Sequence, residues 1–356
     1  MTVDVLLIAV GVVGLVFGAD WLVRGASSLA ERLGVSPLVI GLTVVAFGTS
    51  APELAVSVGA AIGGSTDVAL GNVVGSNIFN VLVILGAAAV VRAQVVQRRL
   101  VRIEVPFLIA VSAGALLVAT DGEVGRAEGV TMIAVGVGYT VWLIVAARRS
   151  REPEPEVPGS GHHRTPAALG LVAVGLVALV AGAQALVSGA TGIAGDLGVS
   201  ELVVGLTVVA AGTSLPELAT SLIAARRGQA DIAVGNVIGS NLFNLLIVLG
   251  TTATILPVPA SIAARTVDLP VMTVVAVACL PVFFTGHRVS RWEGWVFLAG
   301  YLGYATYLVL RGIGSPVASD LGTALAVFTL PPLLLTLAVL AVRQLHAERR
   351  RASRPT

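Results

Sequence analysis

The sequence contains few charged residues. Asp, Glu, Lys and Arg together make up 12 % of the 356 residues, whereas 56 % are hydrophobic and the mean hydropathy is +0.95. A typical soluble domain has about 25 % charged residues, and a water-soluble protein of this size could not cover its surface with half that share. The composition therefore excludes a cytosolic globular protein and indicates a polytopic membrane protein.

Lysine is absent and cysteine is nearly so. Cys279 is the only cysteine, so no intrachain disulfide can form. All 22 basic residues are arginines, and they cluster at the ends of apolar runs. That placement is typical of membrane topology rather than of nucleic-acid binding, so we expect no nucleic-acid partner.

Eleven apolar runs approach or exceed the length of about 20 residues that crosses the hydrocarbon core of a bilayer. They are 3–30, 37–62, 68–91, 103–119, 127–147, 167–194, 201–225, 230–256, 267–285, 292–310 and 321–343. The predicted fold class is an all-α polytopic membrane protein with about 11 transmembrane helices. We expect the protein to lie in the lipid bilayer of the plasma (inner) membrane.

The arginines predict the orientation of these helices. If the N-terminus is outside and the runs alternate, the outside segments carry only Arg126, Arg265 and Arg311, and the other 19 arginines lie in inside segments. Because cytoplasmic loops are enriched in basic residues, the distribution favours an N-out/C-in topology.

The chain contains an internal repeat. Residues 41–86 and 205–250 align without a gap at an offset of 164, with 30 identities in 46 positions. Each half holds five candidate helices, an odd number, so the second half must enter the membrane from the opposite side. The sequence thus predicts two inverted five-helix repeats, an arrangement that secondary transporters use with a binding site at the midplane.

The repeat also predicts the domain organisation. We expect a first repeat at 1–147 and a second at 167–311, joined by a cytoplasmic linker at 148–166 that is rich in Pro, Gly, Glu and Arg. Residues 312–356 would form one extra transmembrane helix and a basic cytoplasmic tail.

The strongest repetition falls on polar residues within apolar runs. Thr49, Ser50 and Glu53 are spaced to share one helix face. Pro52 lacks an amide N–H, which frees carbonyl groups near Gly48 to meet a cation. The matching positions of the second repeat are Thr213, Ser214, Pro216 and Glu217.

Glu53 and Glu217 are the acids that a membrane accommodates least easily, at about 2.5–3.5 kcal/mol each on insertion scales. Two symmetry-related carboxylates with hydroxyls and carbonyls form an oxygen-only site, which suits a hard cation such as Ca²⁺. A structural role for two buried glutamates is the alternative.

The next helix of each repeat adds a polar stripe. Asn72, Ser76 and Asn80 recur every fourth residue, and their equivalents are Asn236, Ser240 and Asn244. We expect Ser76, Asn80, Ser240 and Asn244 to line the ion pathway. Asn72, Asn77, Asn236 and Asn241 are expected to form hydrogen bonds between helices.

The blocks GTSAPEL with GNVVGSNIFN and GTSLPEL with GNVIGSNLFN closely resemble the two alpha-repeats of the calcium/cation antiporter superfamily, in its prokaryotic sodium/calcium exchanger branch. The resemblance implies a ten-helix core with four central cation sites. Calcium would bind Glu53 and Glu217 with the carbonyls of Thr49 and Thr213. Sodium would bind two sites, lined by Ser50, Ser76 and the Ala46 carbonyl and by Ser214, Ser240 and the Ala210 carbonyl. Asn80 and Asn244 would line the middle site.

The chain departs from that pattern in two places. Some members of the superfamily carry aspartate where this chain has Asn244, so one carboxylate is missing here. The run 321–343 lies outside the ten-helix plan, and we expect it to be an appended membrane anchor.

The predicted function is secondary active antiport of Ca²⁺ against Na⁺ by alternating access, without a cofactor other than the transported ions. No obligate protein partner is evident. A Ca²⁺/H⁺ antiporter is the nearest alternative. A cation channel is less favoured, because a channel conducts without a counter-ion, whereas the sequence predicts a single occluded site in which the bound cation neutralises the carboxylates. A membrane enzyme is disfavoured, because no histidine or lysine is placed to activate Ser50 or Ser214.

Overall fold

The computed structural model describes residues 2–149, 165–196, 210–284 and 286–327, and five positions between 329 and 339. Its helices are α1 (Thr2–Leu33), α2 (Pro37–Thr49), α3 (Ala51–Ile62), α4 (66–91), α5 (Leu100–Asp121), α6 (Arg126–Arg149), α7 (Thr165–Asp196), α8 (Ala210–Gly212), α9 (Leu215–Arg226), α10 (Ala230–Ile255), α11 (Ala264–Phe284), α12 (Arg291–Gly312) and α13 (Val317–Val327). Four two-residue strands are β1 (Gln94–Val95), β2 (Glu123–Val124), β3 (Val258–Pro259) and β4 (Arg288–Val289).

The described helices make this a multi-pass integral membrane protein. Seven of them, α1, α4, α5, α6, α7, α10 and α11, are long and apolar enough to cross a membrane, and the bent pair α2 and α3 is an eighth candidate. The predicted runs 201–225 and 321–343 lie partly outside the described residues, as does most of the predicted linker. α12 coincides with the run at 292–310 but is less apolar than the other spans.

α4 and α10 form the centre of the molecule. About 78 % of the apolar window of α4 and 89 % of that of α10 are buried, against 22 % for α1 and 28 % for α7. The polar stripes predicted on these two helices therefore face protein rather than lipid. Because a buried polar group without a partner is costly, they must bond to one another or to an ion.

The four strands show that the repeats are inverted. β1 precedes α5 and β2 follows it, so these strands lie at opposite ends of α5. β3 is the counterpart of β1 at offset 164, yet β3 pairs with β2, and β1 pairs with β4. Equivalent positions of the two repeats thus lie on opposite faces of the molecule. The same exchange appears in flanking bonds, from Val96 N to His287 O at 2.8 Å and from Ala260 N to Gly122 O at 2.7 Å.

α1 and α7 pack antiparallel through glycines. A Cβ on Gly18 would lie 2.9 Å from the carbonyl oxygen of Gly175, and one on Gly175 would lie 2.8 Å from that of Gly18. Gly11 and Gly182 oppose each other in the same way, at 2.7 and 2.9 Å. Small residues allow backbones of membrane helices to approach this closely. The two long helices therefore meet along a seam at which their backbones touch at the glycines, while Leu22 and Leu179 pack in one buried cluster.

Candidate functional site

The central site begins with a break in each of two equivalent helices. α2 ends at Thr49 and α3 begins at Ala51, with a bend of 42° between them. Ser50 at the break has φ −86° and ψ 5°, and its equivalent, Ser214, has φ −89° and ψ 6°. Pro52 occupies the first turn of α3 and has no amide N–H to donate to the Gly48 carbonyl. Each break thus lies two residues before a proline, and it places a serine hydroxyl within the bundle.

Glu53 and Glu217 lie at these breaks and are completely buried, at 0 % exposure. Each is bonded by the serine of the other repeat. Ser50 Oγ donates to Glu217 Oε1 at 3.0 Å, and Ser214 Oγ donates to Glu53 Oε1 at 3.1 Å. The second oxygen of each carboxylate, Oε2, is buried without a hydrogen-bond partner. The two carboxylates thus belong to one cluster at the contact between the repeats.

Asn72 and Asn236 brace the bent helices. Asn72 Nδ2 donates to the Glu53 carbonyl at 3.2 Å and to Ser57 Oγ at 2.9 Å. Asn236 Nδ2 makes the equivalent bonds to the Glu217 carbonyl at 3.4 Å and to Ser221 Oγ at 3.1 Å. These bonds join neighbouring helices, as we expected for both asparagines.

Threonines complete this bracing across the repeats. Thr49 Oγ1 donates to Asn236 Oδ1 at 3.2 Å, and Thr213 Oγ1 donates to Asn72 Oδ1 at 3.4 Å. The threonine side chains therefore contact the asparagines of the other repeat. The sequence analysis assigned no role to Ser57 and Ser221, which belong to this network. The signal that could have found them is their equal spacing from Glu53 and Glu217 in the two repeats.

A second set of asparagines joins α4 to α10. Asn80 Nδ2 donates to Asn241 Oδ1 at 2.9 Å, and Asn244 Nδ2 donates to Asn77 Oδ1 at 3.1 Å. Asn77 and Asn241 also donate to each other's backbone carbonyls, at 3.2 and 3.3 Å. The Oδ1 atoms of Asn80 and Asn244 are buried and have no partner. One asparagine pair is therefore structural, as predicted, and the other presents free carbonyl oxygens.

Two of the remaining predicted ligands, Ser76 and the Ala46 carbonyl, contact residues of this cluster. Ser76 Oγ and Ser214 Oγ lie 3.2 Å apart and share a hydrogen bond, whereas Ser240 Oγ is buried and has no partner. The Ala46 carbonyl accepts from the Ser50 amide at 3.0 Å, and Thr49 Oγ1 lies 3.4 Å from it. Ala210 is the first residue of α8.

Five buried oxygen atoms of this cluster have no hydrogen-bond donor. They are Glu53 Oε2, Glu217 Oε2, Asn80 Oδ1, Asn244 Oδ1 and Ser240 Oγ. Oxygen atoms that are buried without a donor are costly, and a cation compensates for several of them at once. Among the described residues no group of three His, Cys, Asp or Glu could hold a metal. The site therefore has two carboxylates and otherwise neutral oxygens, which is a donor set for hard cations.

The two halves of the molecule differ around this symmetric centre. On α9, Thr220 is fully buried, and Ala219 and Ala224 pack with residues of α1. Val56, the equivalent of Thr220 on α3, is 40 % exposed. Asp20 on α1 also accepts hydrogen bonds from Arg24 Nε at 2.9 Å and from Arg227 at the end of α9. Since Gln184 and Gly63 occupy the equivalent positions, α1 is held on α9 by a contact that α7 and α3 cannot make.

Comparison with known proteins agrees with this geometry. The sequence model of the family described as "Sodium/calcium exchanger protein" matches residues 3–145 and 167–310. The "Putative antiporter CaxA" of Alkalimonas amylolytica is 40 % identical over 316 residues, which are 85 % of this chain and 98 % of that protein. The "Sodium/calcium exchanger MaX1" of Methanosarcina acetivorans is 32 % identical over 347 residues, 86 % of this chain and 99 % of that one. A solved structure of the sodium-calcium exchanger NCX_Mj, soaked with 2.5 mM Na⁺ and 1 mM Sr²⁺, has a TM-score of 0.75 and 31 % identity and covers 84 % of this chain and 96 % of its own.

Proposed function

The chain belongs to the sodium/calcium exchanger family, a family of transporters rather than enzymes, and we propose that it exchanges Ca²⁺ for Na⁺ at the site between Glu53 and Glu217. The observation that carries the proposal is the set of buried oxygen atoms without donors. Two of them belong to carboxylates that the bundle holds in its centre. A protein with no cation to bind there would leave two acids unsatisfied in a low dielectric.

The proposed ligands follow from the placement of these atoms. Glu53 and Glu217 bind Ca²⁺ together with the backbone carbonyls of Thr49 and Thr213. Asn80 and Asn244 supply the free amide oxygens of the middle of the site. The two Na⁺ sites are formed by Ser50, Ser76 and the Ala46 carbonyl, and by Ser214, Ser240 and the Ala210 carbonyl.

Exchange is obligatory in this mechanism because the empty site is charged. One Ca²⁺ neutralises the two carboxylates, and so does a set of Na⁺ ions, but the two loads compete for the same oxygens. Moving the empty pair through the low-dielectric core would expose two uncompensated charges, which is costly. The carrier therefore changes its access only when loaded, and no cofactor takes part.

The unequal cover of α3 and α9 supports alternating access. A carrier of this kind needs a conformation in which water reaches the site from only one side of the membrane. The contact of α1 with α9, locked by Asp20 and Arg227, closes one approach, and the exposed face of α3 marks the other. The inverted repeats supply the reverse state, in which α7 covers α3.

The proposed topology is eleven helices in the plasma membrane, N-out and C-in, with the repeat and linker boundaries given above. Contacts group the arginines at two opposite ends of the molecule. Arg291 donates to the Val91 carbonyl at 3.4 Å, and the Arg92 guanidinium lies beside Gly228. At the opposite end, Arg126 donates to Ile255 and Arg265 to Thr120. The more basic of these ends is the cytoplasmic one.

The test is Ca²⁺ uptake into liposomes that contain the purified protein, with an outward Na⁺ gradient. Uptake is expected to follow the gradient in the native protein. Glu53→Gln and Glu217→Gln are each expected to lower the rate by about a hundredfold or more, because breaking a buried charged set costs about 3–5 kcal/mol. The matched control is Asp268→Asn, which removes another acid of the bundle, one that is bonded to Tyr304 at 2.9 Å.

The control variant should retain most of the native rate. Uptake that proceeds equally well without Na⁺ but follows a pH gradient would identify a Ca²⁺/H⁺ antiporter instead. A Glu53→Gln protein that transports normally would show that the site lies elsewhere.

A further inference from the structure

The side-chain amides of Asn80 and Asn244 are each held at one end only. Asn80 Nδ2 donates to Asn241 Oδ1 at 2.9 Å, whereas Asn80 Oδ1 is buried without a partner. An amide has N–H donors at one end and an acceptor at the other, so turning it over exchanges the two. The orientation of Asn241 therefore decides which end of the Asn80 amide is left for a cation.

A backbone carbonyl fixes the orientation of Asn241. Asn241 Nδ2 donates to the Asn77 carbonyl oxygen at 3.3 Å. Because that oxygen can only accept a hydrogen bond, the N–H end of the Asn241 amide must face it. Asn241 Oδ1 consequently faces Asn80, and a reversed Asn80 amide would bring two acceptor oxygens together.

The second repeat shows the same order of bonds with the roles exchanged. The Asn241 carbonyl oxygen accepts from Asn77 Nδ2 at 3.2 Å, and Asn77 Oδ1 accepts from Asn244 Nδ2 at 3.1 Å. Asn244 Oδ1 is left buried without a partner, as Asn80 Oδ1 is. Each free amide oxygen is therefore set by an asparagine of the opposite repeat.

Each set of bonds closes on the residue where it starts. The backbone N–H of Asn80 also donates to the Asn77 carbonyl, at the point where α4 continues as a π-helical segment, Asn80–Leu85. A ring thus runs from the Asn80 backbone through the Asn77 carbonyl and the Asn241 amide to the Asn80 side chain. The backbone N–H of Asn244 closes the equivalent ring on the Asn241 carbonyl. All four asparagines are at most 2 % exposed, so water does not compete for these bonds.

We propose that Asn241 is the positioning residue for Asn80, and Asn77 the positioning residue for Asn244, each acting across the contact between the repeats. Both ends of the amides of Asn77 and Asn241 are engaged, so these residues act through their partners rather than on the cation. The dependence is crossed, because the residue that orients a ligand of one repeat belongs to the other. The inference rests on the proposed cation site and adds how two of its ligands are oriented.

The first test removes one positioning residue. Asn241→Leu keeps the approximate size of the side chain and removes the acceptor that holds Asn80 Nδ2. The Asn80 amide is then free to turn its N–H groups toward the site, where they repel a cation. We expect the Kd for Ca²⁺ to rise by about tenfold or more, as for the loss of one bond to a charged group. Equilibrium binding of ⁴⁵Ca²⁺ to the purified protein measures it.

A double-mutant cycle distinguishes positioning from a general loss of structure. Asn80→Ala removes the oriented ligand itself and is also expected to raise the Kd by about tenfold. Because Asn241 acts through Asn80, the protein that carries both substitutions should bind Ca²⁺ little more weakly than either single variant. Two independent effects would instead multiply to about a hundredfold.

The matched control combines two residues of the same helix. Asn77 lies three positions before Asn80 on α4 but orients Asn244. Asn77→Leu and Asn80→Ala are therefore expected to multiply to about a hundredfold. Asn77→Leu and Asn244→Ala form the second coupled pair, and their combination should again be little weaker than either single variant. This pair also supplies the test if Asn241→Leu does not give a monodisperse protein.

The outcomes separate this inference from the proposed function. A hundredfold loss in the combined Asn241→Leu and Asn80→Ala variant would show that the two residues act independently and would overturn the inference. An unchanged Kd in Asn241→Leu would overturn it as well. In both cases Ca²⁺ binding that is lost in Glu53→Gln would still support the proposed site. A native protein that binds no Ca²⁺ would overturn the proposed site and the inference with it.

Discussion

At the scale of residues, the orientation of the asparagine amides decides what the centre of the molecule can bind. An asparagine amide carries two N–H donors at one end and a carbonyl acceptor at the other, and its orientation determines which end faces the site. The Oδ1 atoms of Asn241 and Asn77 accept hydrogen bonds from Asn80 and Asn244. The Nδ2 atoms of Asn80 and Asn244 therefore point toward the neighbouring helix. Their Oδ1 atoms are left for the site. One asparagine pair thus leaves the amide oxygens of the other pair without a hydrogen-bond donor.

The serines at the helix breaks can be tested by substitution. Ser50→Ala removes the bond to Glu217 and one proposed Na⁺ ligand, and Ser214→Ala does the same for Glu53. A hydrogen bond to a charged group contributes about 1.5–3 kcal/mol, so we expect the Na⁺ concentration for half-maximal exchange to rise by about tenfold or more in each variant. Sodium-dependent Ca²⁺ efflux from liposomes measures it.

The control for these variants is Ser112→Ala. Ser112 is also buried on a membrane helix, but it lies outside the cluster and its Oγ has no hydrogen-bond partner. Its removal should leave the Na⁺ dependence unchanged. If Ser50→Ala and Ser214→Ala differed greatly in effect, the two Na⁺ sites would not be equivalent.

At the scale of elements, glycines allow α1 and α7 to approach each other closely. The backbones of the two helices oppose each other at Gly18 and Gly175, and Leu22 and Leu179 pack in one buried cluster beside these glycines. The central helices α4 and α10 are instead joined by four asparagines. The contact between the two long helices is therefore apolar, and that between the two central helices is polar.

Gly175→Ala tests the seam. The added methyl group would lie 2.7 Å from the Leu22 amide nitrogen, so the two helices must separate. Overpacking of this kind costs about 1–3 kcal/mol, and we expect a lower melting temperature in detergent. Gly170→Ala on the same helix meets nothing within 4 Å and should be neutral or slightly stabilising. An unchanged melting temperature in Gly175→Ala would mean that the seam is looser than described.

At the scale of the whole molecule, the inversion of the repeats places each repeated polar residue and its equivalent on opposite sides of the contact between the repeats. The pairing of β1 with β4 and of β2 with β3 ties the two repeats together at both faces. In the proposed alternating access, a two-fold rotation in the membrane plane relates the two access states. The ion pair of Asp20 and Arg227 has no counterpart in the other repeat, and the proposal predicts that it favours one of these states.

The inversion can be tested with Glu123 and Arg288, which occupy equivalent strand positions in β2 and β4 and are both exposed. Glu123→Cys is expected to react with a membrane-impermeant maleimide on intact cells, and Arg288→Cys only after permeabilisation. Cys279 is completely buried, so the native protein provides a low background. Labelling of both positions from the same side would contradict the inverted arrangement.

Much of the site could be predicted from the sequence because the membrane makes its polar residues conspicuous. Glu53, Glu217 and the serines beside them stand within apolar runs, and the offset of 164 pairs each with its equivalent. Pro52 and Pro216 located the helix breaks for a local reason, the missing amide N–H. The count of eleven spans could not be settled in the same way, since α12 is less apolar than its neighbours and 197–209 lie outside the described residues.

The sequence by itself determined that this is a membrane protein, that its halves are equivalent, and which acids lie in its core. All of these follow from hydropathy and periodicity, which are local along the chain. Only the tertiary structure decided that each serine bonds the glutamate of the other repeat, which amide oxygens remain free, and that α1 is locked on α9 by Arg227. Those features depend on contacts between residues more than 130 positions apart, and no local pattern encodes the relative placement of such residues.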